Sequence, residues 1–281
     1  MSLKKNSAWS ILAVLLPTIF AIPSLGFLAR ALEVEAFGLF TIYFAIIGFS
    51  GLLDLGFSRA VVRFISLNRN KLAEIQVTMF TAILFVLVIG LIASLLIIFN
   101  ADVIVTLLNV TTKYYTEAFS SLKLAAVIIP ILLVSTVAGS LLEGLEKFKL
   151  LSSIKIFNNS ILSIIPVLFC FINNSLFYAV LGLLFARVIS LLVSLYFPLK
   201  HYLLCGRSKF CVEKLKELIV FGGWLTVSNL ISPIMSYFDR FILSATTGAD
   251  KVAIYSAPSE AISKKGTPVV ITLESLGLGT T

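Results

Sequence analysis

The sequence predicts an all-α, multispan transmembrane helical bundle, and three observations carry that prediction. The 281 residues are 59% hydrophobic and only 13% charged, with a mean hydropathy of +1.05. Soluble domains carry about 25% charged residues, so half that share marks a membrane protein. Apolar runs long enough to cross a bilayer recur along the chain. Finally, lysines and arginines concentrate on alternate connections between those runs, as cytoplasmic loops do.

The clearest stretch is 28–63. Its uncharged run Phe37–Leu53 lies between an edge with Arg30, Glu33 and Glu35 and an edge with Asp54, Arg59 and Arg63. At 1.5 Å per residue this run covers roughly 25 Å, just enough for a hydrocarbon core. Before it, Lys4 and Lys5 precede the run Ser7–Ala29. That run is too long for the apolar region of a signal peptide, so it is read as a retained first span. The further expected spans are Ile75–Phe99, Leu124–Leu142, Ile156–Ile172, Leu176–Leu199 and Leu218–Phe238, with an eighth starting near Val252. Prolines 17, 23, 130, 166 and 233 fall inside spans and are expected to kink them.

Fourteen lysines and arginines fall on the connections read as cytoplasmic, and five on the opposite ones. The bias holds at every loop and places the N-terminus in the cytoplasm. It also accounts for the net charge of +8 without nucleic acid, because the cations alternate between loops instead of sharing one face. The most basic connection, 200–217, divides the chain. Phe210, Leu215, Leu218 and Ile219 would share a helical face lying on the inner leaflet. The expected organisation is a six-span lobe over 1–199, a linker over 200–217, the start of a second lobe over 218–263, and an atypical tail over 264–281. A weak internal repeat sets Ala36–Thr41 against Lys251–Ser256, in the manner of parallel transporter repeats.

No catalytic or metal-binding set is expected. The chain lacks a nucleophile elbow, an HExxH helix and a phosphate-binding loop. Its single histidine, His201, has no partner, and Cys170, Cys205 and Cys211 lack zinc spacing. No cofactor is implied either.

Three segments resemble the polysaccharide-transport family, the Wzx-type O-antigen flippases of the MOP exporter superfamily. They are LARALEVEAFGLFTIYFA, DLGFSRAVVRFIS and YFDRFILSATTGADKVAIYS. They follow the patterns LxRxLxxxxFG, DxGxxxAxxR and DRxxxS…YS, and the resemblance runs from about Asn6 to about Ser263. It implies a MATE-like first lobe of six helices and part of a second. The chain is expected to be truncated or frameshifted after about Ser263, because the family's members have a dozen or more helices. The resemblance implies movement of a polyprenyl-pyrophosphate-linked oligosaccharide across the bacterial inner membrane by alternating access. The bilayer and the polysaccharide polymerase and chain-length proteins are the other implied partners. A cation or drug exporter of the same superfamily, and a non-functional remnant, are the alternatives.

A dianionic head crossing hydrocarbon needs cationic groups, and guanidinium matches phosphate oxygens two at a time. Arg187 is the first candidate, near the middle of the sixth span, facing either a cavity or a partner on a neighbouring helix. Arg30 closes the first span and matches a family position; snorkelling to the interface is the other reading. Asp54, Arg59 and Arg63 edge the second span, as a pyrophosphate entrance or as the orientation signal alone. Asp239 and Arg240 end the seventh span, where the resemblance implies a lobe interface.

Overall fold

The computed structural model describes residues 3–108, 110–203 and 210–226. The described residues form helices joined by short turns, with no strand among them. Four helices are long and apolar enough to cross a membrane: α4 (Leu72–Phe99), α6 (Tyr115–Gly144), α7 (Phe148–Cys170) and α8 (Leu176–Pro198). Ahead of these come α1 (Leu3–Ala31), apolar over Leu15–Ala31, and the apolar α2 (Val34–Phe49). The short helices α3 (Phe57–Leu67) and α5 (Ala101–Leu107) and a last helix, α9, over 212–226, complete the described bundle. The expected seventh span beyond 226, the eighth, Pro233, Cys205, Asp239, Arg240 and the tail lie outside the described residues.

Helix α6 is the post of the bundle. It packs on α2, α3, α4, α5, α7 and α8, and its buried positions run from Ala118 to Gly144. Many of them are small: Ala118, Ser121, Ala125, Ala126, Ala138 and Ser140. In lipid there is no apolar driving force between helices, so small residues that let backbones approach do the work. Two prolines take part. A Cβ on Gly90 of α4 would stand 2.7 Å from Cα of Pro130 in α6. A Cβ on Gly182 of α8 would stand 2.8 Å from Cα of Pro166 in α7. Each proline thus faces a glycine on the neighbouring helix.

The second span differs from its expected form. The helical column does not end near Leu53. After α2 the chain tightens into a 3-10 turn at Ser50–Asp54, passes Leu55 (φ 47°) and Gly56 (φ 70°), and resumes as α3. Both residues are left-handed, which suits glycine and strains leucine. The whole column runs beside α6 in the same direction. Glu35 meets Thr111, Tyr43 meets Ala118 and Arg69 meets Gly144, at separations of 75–76 residues. The interruption carries no proline, whereas α1, α6 and α7 continue as helix through theirs. In α6 the freed carbonyl sits inside a helix that neighbours enclose, where its cost is contained.

The basic connection also differs. Helix α9 runs from 212 to 226 without a break at 217. Leu218 is only 2% exposed and joins the α3–α4 cluster, with Leu215 and Phe221 packed against it; Phe210 and Ile219 face outward. The face expected on the leaflet is therefore half spent on protein.

Alanine at Gly90 or Gly182 is expected to force its helix pair apart and cost about 1–3 kcal/mol, the usual range for overpacking. Alanine at Gly26, whose Cβ would meet nothing within 4 Å, is expected to be harmless. Thermal unfolding of the three variants in detergent checks the contrast.

Candidate functional site

The height of Arg187 in the bundle is set by the start of α8. Ser175 caps that helix, its hydroxyl accepting from the Tyr178 N–H at 3.4 Å. The Glu117 carboxylate of α6 accepts from the Phe177 N–H at 3.1 Å. An acid at a helix N-terminus also favours the helix dipole. From there α8 descends against α6 and α7, and Arg187 is the central residue of its 23. It lies about 17 Å from either end of the helix.

Its side chain is half-buried, and its buried Nε has no hydrogen-bond partner among the described residues. Two more residues of α7 and α8 share the condition. Ser190, 2% exposed, has an unpartnered Oγ, and Asn158 of α7 has an unpartnered Oδ1. Asn158 donates through Nδ2 to Ser194 Oγ at 3.0 Å, tying α7 to α8. Arg187, Ser190 and Ser194 stand at n, n+3 and n+7, on one stripe of α8. Asn158, Ser190 and Ser194 were not foreseen as site residues. The signal for the two serines was their spacing from Arg187; for Asn158 only the helix crossing reveals it.

The other expected residues do not join Arg187. No hydrogen bond or ion pair links any two of Arg30, Asp54, Arg59, Arg63 and Arg187. Arg30 is exposed at the far end of α1. Asp54 accepts from the Ser58 N–H at 3.1 Å and from its hydroxyl at 3.0 Å, so it reaches past the N-cap Gly56 to hold a first-turn N–H of α3 across the break. Arg59 is exposed. Arg63 lies 4.2 Å over the Phe221 ring, so it is drawn to α9 by a cation–π contact.

The α3–α9 joint is close. A Cβ on Gly56 would collide with the Gly222 carbonyl oxygen. Lys214 of α9 pairs with Glu74 at 3.2 Å and lies 4.2 Å over Phe64. A cleft of about 900 Å³ opens beside this joint, lined by Arg63, Phe64, Lys216 and Trp224 among others. A smaller hollow of about 150 Å³ lies between α1, α2 and α7. Neither reaches Arg187.

Ion pairs hold the two ends of the α2–α3 column. At one, Lys113 meets Glu33 at 2.7 Å and Glu35 accepts from Thr111. At the other, Arg69 meets Glu146 at 2.6 Å and donates to the Gly144 carbonyl that ends α6. Lys113 holds the Glu33 carboxyl below its usual range, and Arg69 does the same to Glu146. The acids of the 100–123 connection are structural too: Asp102 accepts from the Tyr115 hydroxyl, and Glu117 holds α8. Among the described residues no cluster of His, Cys, Asp and Glu has the makings of a metal site.

The fold of this multihelical bundle is shared with solved membrane transporters. A MOP superfamily transporter from Pyrococcus furiosus superposes with a TM-score of 0.66 at 15% identity, covering 92% of this chain and 59% of that one. An outward-facing multidrug resistance MATE family transporter of the MOP superfamily gives 0.67 at 13% identity, over 95% of this chain and 61% of that one. The family is settled by sequence. The family described as polysaccharide biosynthesis protein matches residues 3–263, and the chain belongs to it. A Shigella flexneri protein named "Putative O-antigen transporter" is 42% identical over 266 residues, 95% of this chain and 63% of its own length. The chain thus spans about three-fifths of the relatives it matches.

Two outcomes follow from the geometry. Asp54→Ala is expected to lose about 1 kcal/mol with its bonds to Ser58, read as a lower unfolding temperature in detergent. Both clamped carboxyls titrate below their unfolded values. Their contribution is therefore complete above the unfolded carboxyl pKa of about 4.3 and fades as pH falls through the lower folded value. Acid titration of thermal stability should show a loss at the acid end that Glu33→Gln with Glu146→Gln flattens.

Proposed function

We propose that the chain is the first lobe and the start of the second in a transporter that moves a polyprenyl-pyrophosphate-linked oligosaccharide, an O-antigen or related repeat unit, across the bacterial inner membrane. The family membership and the Shigella flexneri relative support the class of cargo. The observation that carries the mechanism is Arg187, a half-buried cation at the centre of a membrane helix with an unpartnered Nε. An arginine there costs roughly 2.5–3.5 kcal/mol on insertion scales, a cost that an anionic cargo offsets.

In this reading the N-terminus and the cationic connections face the cytoplasm. Residues 1–199 form one lobe, 200–217 connect it, 218–263 begin the other, and 264–281 are a tail. The lobes rock about the central site while the lipid tail stays in the bilayer. Arg30, Asp239 and Arg240 would line the outer end and the lobe boundary. Asp54, Arg59 and Arg63 would stand at the inner entrance, Asp54 through its hold on α3. The protein is not an enzyme in this scheme, and polymerase and chain-length proteins act downstream. A cation exporter is disfavoured because the spans through α8 carry acids only near their ends.

The test is a chimera in which residues 1–226 replace the matching part of the Shigella flexneri relative, in a strain lacking its own copy. Arg187→Gln is expected to lower surface O-antigen roughly tenfold or more, as loss of a charged hydrogen bond would. Arg187→Lys should retain part of the activity. Unchanged O-antigen in Arg187→Gln defeats the proposal.

A further inference from the structure

Three polar atoms of α7 and α8 are stranded: Arg187 Nε and Ser190 Oγ of α8, and Oδ1 of Asn158, the α7 residue that reaches α8 at Ser194. The same two helices come close at the Gly182–Pro166 contact. Each unsatisfied group in hydrocarbon costs several kcal/mol. Three of them on one helix pair mark a place for a polar occupant, since buried polar groups are normally satisfied by protein or by ordered water.

The groups are also ordered in depth. Asn158 and Ser194 join the two helices toward the end that carries Lys147, Lys149 and Lys200. Ser190 stands one turn further in and Arg187 nearly another, at mid-height. The opposite face of α8 presents Phe185, Leu192 and Tyr196, all more than half exposed, as a lipid-facing side does. So the inner half of α8 has an apolar exposed side and, over 187–194, a polar side on which Ser190 and Ser194 are buried.

We propose that Asn158, Ser190 and Ser194 form with Arg187 a hydrated seam between α7 and α8, which admits a phosphate-type oxyanion from the Lys147 side as far as mid-membrane. Arg187 supplies the charge. The Ser190 hydroxyl donates a neutral hydrogen bond to the same anion, and Asn158 Oδ1 accepts from the water that accompanies it. Ser194 holds the Asn158 amide in place. These three are positioning and specificity residues, since a seam of neutral donors selects a hydrated oxyanion over a bare apolar or cationic solute. The identity of the anion as the cargo's pyrophosphate rests on the function proposed above; the seam itself does not.

The experiment is thiol labelling of the full chain in membrane vesicles of both orientations, with Cys170, Cys205 and Cys211 replaced by alanine. Asn158→Cys and Ser190→Cys are introduced singly, with Leu192→Cys as the lipid-facing control. A membrane-impermeant maleimide applied from the Lys147 side should label 158 and 190 roughly tenfold faster than 192, because only a hydrated thiolate reacts. Millimolar inorganic pyrophosphate should slow labelling at 190, and Arg187→Gln should abolish that protection. Labelling at 158 and 190 no faster than at 192 overturns the seam, and labelling that pyrophosphate never slows overturns the anion site. Normal O-antigen export by Arg187→Gln in the chimera would instead remove the transport role while leaving both labelling results standing.

Discussion

Close approach to α6 is the constraint from which the rest of the bundle follows. A helix enclosed by six neighbours cannot carry long side chains on every face. The chain meets this with alanines and serines on α6 itself and with glycines where a neighbour crosses, such as Gly90 against Pro130. At the far end of α6, a Cβ on Gly144 would stand 2.8 Å from Ile65 Cβ. Contacts this short leave no room for sliding. They fix the register of α4 and α3, and Glu117 fixes α8 on the same post. The mid-height position of Arg187 is therefore a consequence of how α8 is anchored on α6.

Much of this architecture was legible in the sequence, and the exceptions are physical. Apolar runs gave α4 and α8 closely, because lipid demands length and hydrophobicity alone, but only the apolar parts of α6 and α7, whose first turns carry Glu117 and Lys149. The end of the second span was missed because α3 is amphipathic: Phe57, Ala60, Val61 and Ile65 are buried while Arg59 and Arg63 face out. A hydropathy run stops where such a helix begins. The interruption was missed as well, since proline is the obvious breaker, and here a glycine pair does the work. Gly56 takes the left-handed turn, and Gly222 leaves room for it from 166 positions further along. Nothing local announces that pairing.

The site was legible to a different degree. Counting residues placed Arg187 at the middle of its span, and it is the central residue of α8. What counting does not reveal is the company it keeps. Serine and asparagine are common in membrane helices, where their side chains often turn back to their own backbone, as Ser135 does to Ile131 and Ser153 to Lys149. Only the crossing of α7 over α8 separates those from Asn158 and Ser190, whose atoms find no such partner.

The patterned segments and the polar seam fall in different parts of the chain, and this division has a reason. In DLGFSRAVVR, Asp54 holds the first turn of α3, Gly56 accepts the backbone of α9, Ala60 is buried at 2% exposure and Arg63 stacks on Phe221. In LARALEVEAFG, Leu28 and Leu32 are buried, Glu33 holds Lys113 and Glu35 holds Thr111. Gly56 and Arg63 build the joint with α9, and Asp54 holds the break ahead of α3. Arg187, Ser190, Ser194 and Asn158 lie in none of these segments. Joints tolerate little change, since a Cβ at Gly56 would collide with backbone, whereas a stripe facing a hydrated seam tolerates any residue its occupant accepts. On the proposed reading, a fold of this kind keeps its frame through its glycines and caps while the α7–α8 interface is free to change with its occupant.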